Sequence, residues 1–303
     1  MGSNSNIIIN NNKGELIKNE NKKNNNHDHH NDDTDDNCYN DDDCDCEPIV
    51  TCLNECVFLN TTTTYNLLQA ANVYGLGGGG GGGSSLIDDT VDKTRSSGGG
   101  GVGGVMSSGC LPKGTVINNI MIGAGGLSPS PSQRSALVGG STSFTYTDAM
   151  TTEIVTASGG FSWVLLSFGS DGPGNNAFLN AGDGGWGGVA DINRSAFFAP
   201  INGNNNTNIC DNSIDRGGNA GNSNLPSGFV GGGGGGASII ANGADGGDGP
   251  SGSVGMNCAS GSGAGGGGGA NNGNSGSITS VISDGGTGGS GNVIVKYGTC
   301  GCD

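Results

Sequence analysis

Glycine comes in unbroken blocks in this chain: residues 77–83, 98–101, 231–236 and 265–269 are all glycine, and 64 of the 66 glycines lie after residue 74. A glycine block has no side chain with which to fill an apolar core, ligate a metal or catalyse a reaction. It offers only backbone N–H and C=O. Fixing a residue's backbone costs about 1–2 kcal/mol, and glycine loses more freedom than any other residue. Two outcomes are open. The blocks are flexible linkers, or they are extended helices of three residues per turn packed side by side, a closeness that only glycine permits. In the second case each hydrogen bond between helices contributes about 0.5–1.5 kcal/mol net. Collagen itself is excluded, because the glycine spacing is irregular and the chain has only 8 prolines.

Three regions follow from composition. Residues 1–47 form an Asn- and Asp-rich tail, with Asn at 13 of the first 40 positions and ten Asp or Glu between His27 and Glu47. That segment carries too little apolar surface to fold alone and is expected to be disordered. Residues 48–74 form a Cys-containing transition, in which Ile49-Val50-Thr51, Cys56-Val57-Phe58-Leu59 and the Thr-rich run ending at Tyr65 are β-prone. Residues 75–303 form a glycine-rich β body. Its β-like stretches are short: 116–122, 144–146, 153–155, 161–168, 196–198, 238–240, 278–282 and 292–297. No long 3.6-residue periodicity appears, and only 67–73 has the composition of a helical turn. The expected class is all-β, with short-stranded, sandwich-like elements, three-fold polyglycine segments and a disordered acidic tail. In the run from Phe161 to Phe168, which contains Trp163, the core of the β body competes with an exposed contact patch; Trp186 is the only other Trp.

Charge narrows the partners. The net charge is −16, and the basic residues of the body are scattered singly. Nucleic-acid binding by phosphate neutralisation is not expected. No run of 18 apolar residues is present, so membrane insertion is not expected either. The N-terminus lacks the pattern of a signal peptide, and Met1-Gly2 followed by Asn6 only partly fits an acylation motif.

The chemistry-bearing residues point away from catalysis. All three His (His27, His29 and His30) lie in the tail, so the body lacks the usual base of Ser-His-Asp or Cys-His nucleophiles. Asp183, Asp191, Asp245 and Asp248 are candidate carboxylates, but beside glycine they read as turn residues. No G-x-x-x-x-G-K-[ST] loop occurs, since Lys113-Gly114-Thr115 has the order reversed. No enzyme activity and no cofactor are expected. His27, His29, His30, Cys44 and Cys46 are candidates for a soft-metal site. Their spacing matches no finger motif, and disulfides beside a solvated tail are the competing reading. The ten cysteines (Cys38, Cys44, Cys46, Cys52, Cys56, Cys110, Cys210, Cys258, Cys300 and Cys302) are an even number and are disulfide candidates, within or between chains. A staple from the Cys44–Cys56 cluster to Cys300 or Cys302 would tie the two ends together. Oxidised cysteines imply an extracellular or virion location. The sequons at Asn60, Asn193 and Asn205 are no more than so Asn-rich a chain throws up by chance.

The order of signals in the body resembles the glycine-rich domains of phage tail-fibre and minor tail proteins. Val73-Tyr74-Gly75-Leu76 enters the first glycine run, and Ile120-Met121-Ile122 ends in Gly123-Ala124-Gly125-Gly126. A Gly139-Gly140-Ser141-Thr142-Ser143-Phe144 step follows, and the body closes on Gly288-Gly289-Ser290-Gly291-Asn292-Val293-Ile294-Val295-Lys296-Tyr297. The extracellular glycine-rich domain of anaplastic lymphoma kinase-type receptors is similar in style, with a closing strand followed by a Cys pair like Cys300 and Cys302. The resemblance covers about residues 57–303. With the Asn-rich tail it points to a large amoeba-infecting DNA virus or an AT-rich protist. It implies a virion-surface, fibre or adhesin role. The partners it implies are further copies of the chain (a trimer is one option), other virion proteins, and a host receptor or glycan. An extracellular ligand-binding module and a metal-binding protein are the alternatives.

Overall fold

In the computed structural model the described residues are 52–59, 64–84, 98–128, 138–147, 151–161, 200–223, 229–270 and 283–301, with the backbone alone at 86–88, 93–95, 189–191 and 197–198. The acidic tail, Ile49-Val50-Thr51, the Thr-rich run before Thr64, Trp163, Trp186 and 278–282 lie outside them. Among the described residues all regular elements are β. Strands β1 (Cys56–Leu59), β3 (Ala71–Leu76), β6 (Val105–Leu111) and β14 (Asn292–Tyr297) form one antiparallel sheet in the order β1-β14-β3-β6. Strands β2 (Tyr65–Asn66), β7 (Val116–Met121), β8 (Thr142–Thr147) and β9 (Thr152–Ala157) form a second, in the order β2-β7-β8-β9. A third holds β4 (Leu86–Asp88), β5 (Lys93–Arg95), β10 (Val189–Asp191) and β11 (Phe197–Phe198), and β12 (Asn206–Thr207) pairs with β13 (Ile214–Asp215).

The first two sheets share one core. Val73, Val293, Val295 and Tyr297 from the first meet Ile117, Ile120, Phe144, Tyr146 and Val155 from the second. The other face of the first sheet is covered too. Leu76, Val105 and Ile294 pack against Ile239, with Ile209, Cys210 and Ile240 at the edge. This explains the apolar run of β14: Val293, Val295 and Tyr297 point to one layer and Ile294 to the opposite one, so a period of two fills both faces. The second sheet has a single buried face, and Ile154 and Met121 on its outer side are exposed. Disulfides staple the first sheet to its covering segment and to itself. Cys56 of β1 joins Cys210 beyond β12, and Cys110 of β6 joins Cys300 just past β14.

Two sequence readings are corrected. The stretch 67–73 is not helical. The Leu67 N–H donates to the Thr115 carbonyl and the Leu68 N–H to the Tyr297 hydroxyl, and β3 begins at Ala71. Two turns of isolated helix are too short to compete with such tertiary pairing. The run Ser238-Ile239-Ile240 forms no strand but enters a bend at 239–241, with Ile239 buried against the first sheet.

Six strands run directly into the glycine-rich segments: β3 into 77–84, β7 into 122–128 and β9 into 158–161, while 98–104, 138–141 and 283–291 lead into β6, β8 and β14. These segments bond to one another with a three-residue repeat. The N–H groups of Gly77, Gly80 and Gly83 donate to the carbonyls of Gly104, Gly101 and Gly98, and those of Gly79 and Gly82 donate to Gly289 and Gly286. Gly78 donates to Gly140. The carbonyls of Gly78 and Gly79 accept from Gly160 and Gly126, and those of Gly80 and Gly83 accept from Gly266 and Gly269. Segment 77–84 is therefore bonded to six neighbours, and 263–270 likewise: to 77–83, 98–104, 231–238, 242–249, 253–258 and 283–291. Every residue of 77–84 and of 262–270 is buried. Glycine is required here by space. A Cβ at Gly79, Gly100 or Gly267 would fall inside the van der Waals envelope of a neighbouring carbonyl oxygen, that of Ala264, Gly80 or Asp245 respectively.

Candidate functional site

The packed segments end at an exposed rim made of 216–222, 242–249 and 253–257. A groove of about 710 Å³ runs there, with Asn219, Asn222, Asp245 and Asp248 along its polar side and Val254 and Met256, both exposed, along its apolar side. The three-residue repeat sets what lines it. On 242–249 one residue in three packs inward as glycine or alanine, and positions 242, 245 and 248 (Asn, Asp, Asp) carry side chains at the rim.

Those side chains accept backbone hydrogen bonds in register. Asn242 Oδ1 takes the N–H of Arg216 at 2.6 Å, Asp245 Oδ1 that of Asn219 at 2.6 Å, and Asp248 Oδ1 that of Asn222 at 3.0 Å. The N–H of the residue following each one, at Gly243, Gly246 and Gly249, donates to the carbonyl of the same Arg216, Asn219 and Asn222. Each rim residue is thus held at both its N–H and its C=O by two consecutive residues of 242–249. From the other side Asn205 Oδ1 takes the N–H of Gly217 and Asn202 Oδ1 that of Ala220. Asn219 Nδ2 also donates to Asp245 Oδ1 at 3.2 Å.

Chemically the groove offers carboxylate and amide oxygens beside a thioether and a valine. None of its lining residues is Lys, Arg, His, Cys or Tyr, and Ser253 is its only hydroxyl, its Oγ accepting the Asp248 N–H at 2.6 Å. The one free cysteine among the described residues, Cys258, lies just beyond the groove. Its thiol donates to the Gly265 carbonyl at 2.9 Å, and burial pushes its pKa from 9.0 up to about 12. A thiol held protonated is a poor nucleophile and a poor metal ligand.

The sequence-predicted residues fall as follows. Asp245 and Asp248, read as turn formers, sit three residues apart on one segment and line one groove, and Asp248 also opens the turn at 249–252, its carbonyl accepting the Ser253 N–H. Asp191 lies on β10, and Asp183 is outside the described residues. Of the disulfide candidates, Cys56, Cys110, Cys210 and Cys300 pair within the chain, Cys52 is also disulfide-bonded, and Cys258 is not. Within the chain the Cys258 sulfur faces the Gly265 carbonyl rather than another thiol. Cys300 joins Cys110, not the cysteine cluster near the N-terminus. Cys38, Cys44, Cys46, Cys302, His27, His29 and His30 lie outside the described residues, as do Asn60 and Asn193. No group of three or more His, Cys, Asp or Glu that could hold a metal occurs among the described residues, and no described helix is long and apolar enough to cross a membrane. The rim was missed by sequence reasoning, although its signal was present as Asn242-x-x-Asp245-x-x-Asp248, a period of three rather than two or 3.6.

A family model described as a glycine-rich domain matches residues 58–298. The chain belongs to this glycine-rich domain family. The match begins within β1 and ends just past β14, so it spans both core sheets and every glycine segment between them. No curated protein matches the chain. The disulfides of this glycine-rich domain belong to an oxidising environment.

Proposed function

We propose that the chain is a non-catalytic structural protein displayed at an extracellular or virion surface, a fibre or coat component that contributes to host attachment. In this reading the glycine-rich segments are three-fold polyglycine helices. At about 3.1 Å per residue, a segment the length of 77–84 spans roughly 25 Å and holds the sheet that contains β4 and β5 away from the two core sheets. The observation that carries the proposal is the pair of segments 77–84 and 263–270, each bonded to six neighbours. A body built from mutually bonded backbone is stiff without a large side-chain core, which suits a spacer. The disulfides support use outside the reducing cytosol. Immunogold labelling of intact particles or cells, with non-reducing thiol counting on the same material, tests it. Surface label together with oxidised Cys56, Cys110, Cys210 and Cys300 is expected. Label confined to a cytosolic fraction with all thiols free would overturn it.

A second reading, an extracellular ligand-binding module, draws on the groove lined by Asp245, Asp248, Val254 and Met256. Screening the folded protein against immobilised glycans and receptor ectodomains, with Met256→Glu as the blocking variant, tests that reading. Binding lost in Met256→Glu supports it; binding unchanged there removes the groove from consideration.

A further inference from the structure

Hydrogen-bond accounting separates the inside of the glycine lattice from its rim. In the interior, all six N–H groups from Gly265 to Ala270 donate to backbone carbonyls of surrounding segments, namely those of Gly236, Gly80, Met256, Gly233, Gly83 and Ser253. At the rim, all seven N–H groups from Arg216 to Asn222 are also paired, but only Gly218 and Gly221 reach backbone carbonyls, those of Gly235 and Gly232. The other five go to Oδ1 atoms of Asn242, Asn205, Asp245, Asn202 and Asp248. An Asn or Asp oxygen thus stands in for the carbonyl of a further segment at each of these donors.

An open lattice edge carries the same hazard as an open sheet edge. A regular row of unpaired N–H groups is a template for another chain of the same kind, and proteins block such rows with charge and local side-chain bonding. The partner that fits a glycine-lattice edge is another glycine-lattice edge, because only a segment without side chains can approach as closely as the interior segments do. We propose that 216–222 is a latent self-association edge for a second copy of this chain, held closed by the ladder of Asn202, Asn205, Asn242, Asp245 and Asp248. Two effects act together. The side-chain oxygens occupy the donors, and Asp245 and Asp248 place like charges on both copies of a chain whose net charge is −16. Short side chains suit the first task, since the same segment must also donate its next N–H to the same rim residue. This inference is independent of where the protein is displayed.

The test measures self-association of the full, oxidised chain by sedimentation equilibrium. Asn242→Ala with Asp245→Ala and Asp248→Ala removes three caps. Asp245→Asn with Asp248→Asn removes charge and keeps the acceptors. The alanine variant is expected to associate at least tenfold more tightly than the unmodified chain, with its disulfides intact, and the asparagine variant is expected to stay within about threefold of it. An alanine variant that folds and keeps the parent mass overturns the proposal. So does an asparagine variant that associates as strongly as the alanine one, because charge alone would then be the barrier. If the alanine variant does not fold, hydrogen exchange in the unmodified chain decides. Amides of Asn219 and Asn222 protected to a similar degree as that of Gly268 support the ladder, and unprotected exchange at both overturns it.

Discussion

Substituting Gly79 by Ala isolates the packing of backbone on backbone. A Cβ at Gly79 would overlap the Ala264 carbonyl, which belongs to a neighbouring segment and cannot rotate away as a side chain could. Restoring ordinary carbon–oxygen contact requires 77–84 and 263–270 to separate by about 1 Å or more. The bonds nearest the displacement are Gly79 N–H to Gly289 at 2.8 Å and Gly126 N–H to the Gly79 carbonyl at 2.8 Å. Counting about 1–3 kcal/mol for the buried donor that each broken bond leaves unpaired, losing both costs about 2–6 kcal/mol. Alanine returns about 0.4–1 kcal/mol by restricting the unfolded chain, which leaves a net loss of about 2–5 kcal/mol. Gly109→Ala is the control. Gly109 has φ +76° with nothing within 4 Å of its Cβ position, so its cost is purely conformational. That cost is about 1–2 kcal/mol before the same unfolded-state gain. Urea unfolding of the oxidised proteins, compared at equal m, measures both. If Gly79→Ala costs no more than Gly109→Ala, the glycine blocks are not closely packed and the lattice argument fails.

Three further outcomes are expected. Tyr297→Phe removes a buried hydroxyl that accepts the Leu68 N–H at 3.1 Å and pairs with the Tyr65 hydroxyl at 3.0 Å, and should cost about 1–3 kcal/mol in the same unfolding assay. Replacing Cys56 and Cys210 by Ser opens a link of sequence separation 154 and should lower stability by about 2–5 kcal/mol, with faster tryptic cleavage after Arg216 in the freed connection. Alkaline stability should fall as pH rises from about 9 to about 12, because the Cys258 thiol, raised by burial, stays protonated when folded while it ionises in the unfolded chain. The unfolded state then binds fewer protons, so the slope is negative; Tyr65, raised first by burial and then by its bond to Tyr297, extends it to higher pH. Cys258→Ala should flatten the first part of that slope in unfolding curves taken across this range.

The sheets were legible where β-branched runs sit beside glycine blocks. Asn292-Val293-Ile294-Val295-Lys296-Tyr297 is β14 residue for residue, and 116–122 contains β7. Strand β6 was hidden because Ser107-Ser108-Gly109 reads as a turn. In the fold Gly109 takes φ +76° on that strand, and the register between β3 and β6 shifts between Asn72 and Tyr74. The segment 67–73 misled because its local composition favours a helix while its partners, Thr115 and Tyr297, are distant in sequence. Cysteine pairing is not written in spacing, and Cys56 meets Cys210 only because 200–215 folds over the outer face of the first sheet. The rim was hidden for a related reason. Asn and Asp beside Gly have the composition of turns, and their role appears only when the chain is read with a stride of three.

That stride limits how the gene can change length. Along 77–83 and 265–270 the N–H groups of successive residues reach three different neighbours in rotation. Deleting one codon from a block shifts everything beyond it by one step of the three-residue repeat and presents each remaining donor to the wrong segment. Deleting three shortens the block by one full repeat and leaves every later residue facing as before. Insertions and deletions within the blocks should therefore be accommodated in triplets of residues, nine nucleotides at a time, so that a change in glycine number which ordinary linkers would ignore becomes a quantised variable of this architecture.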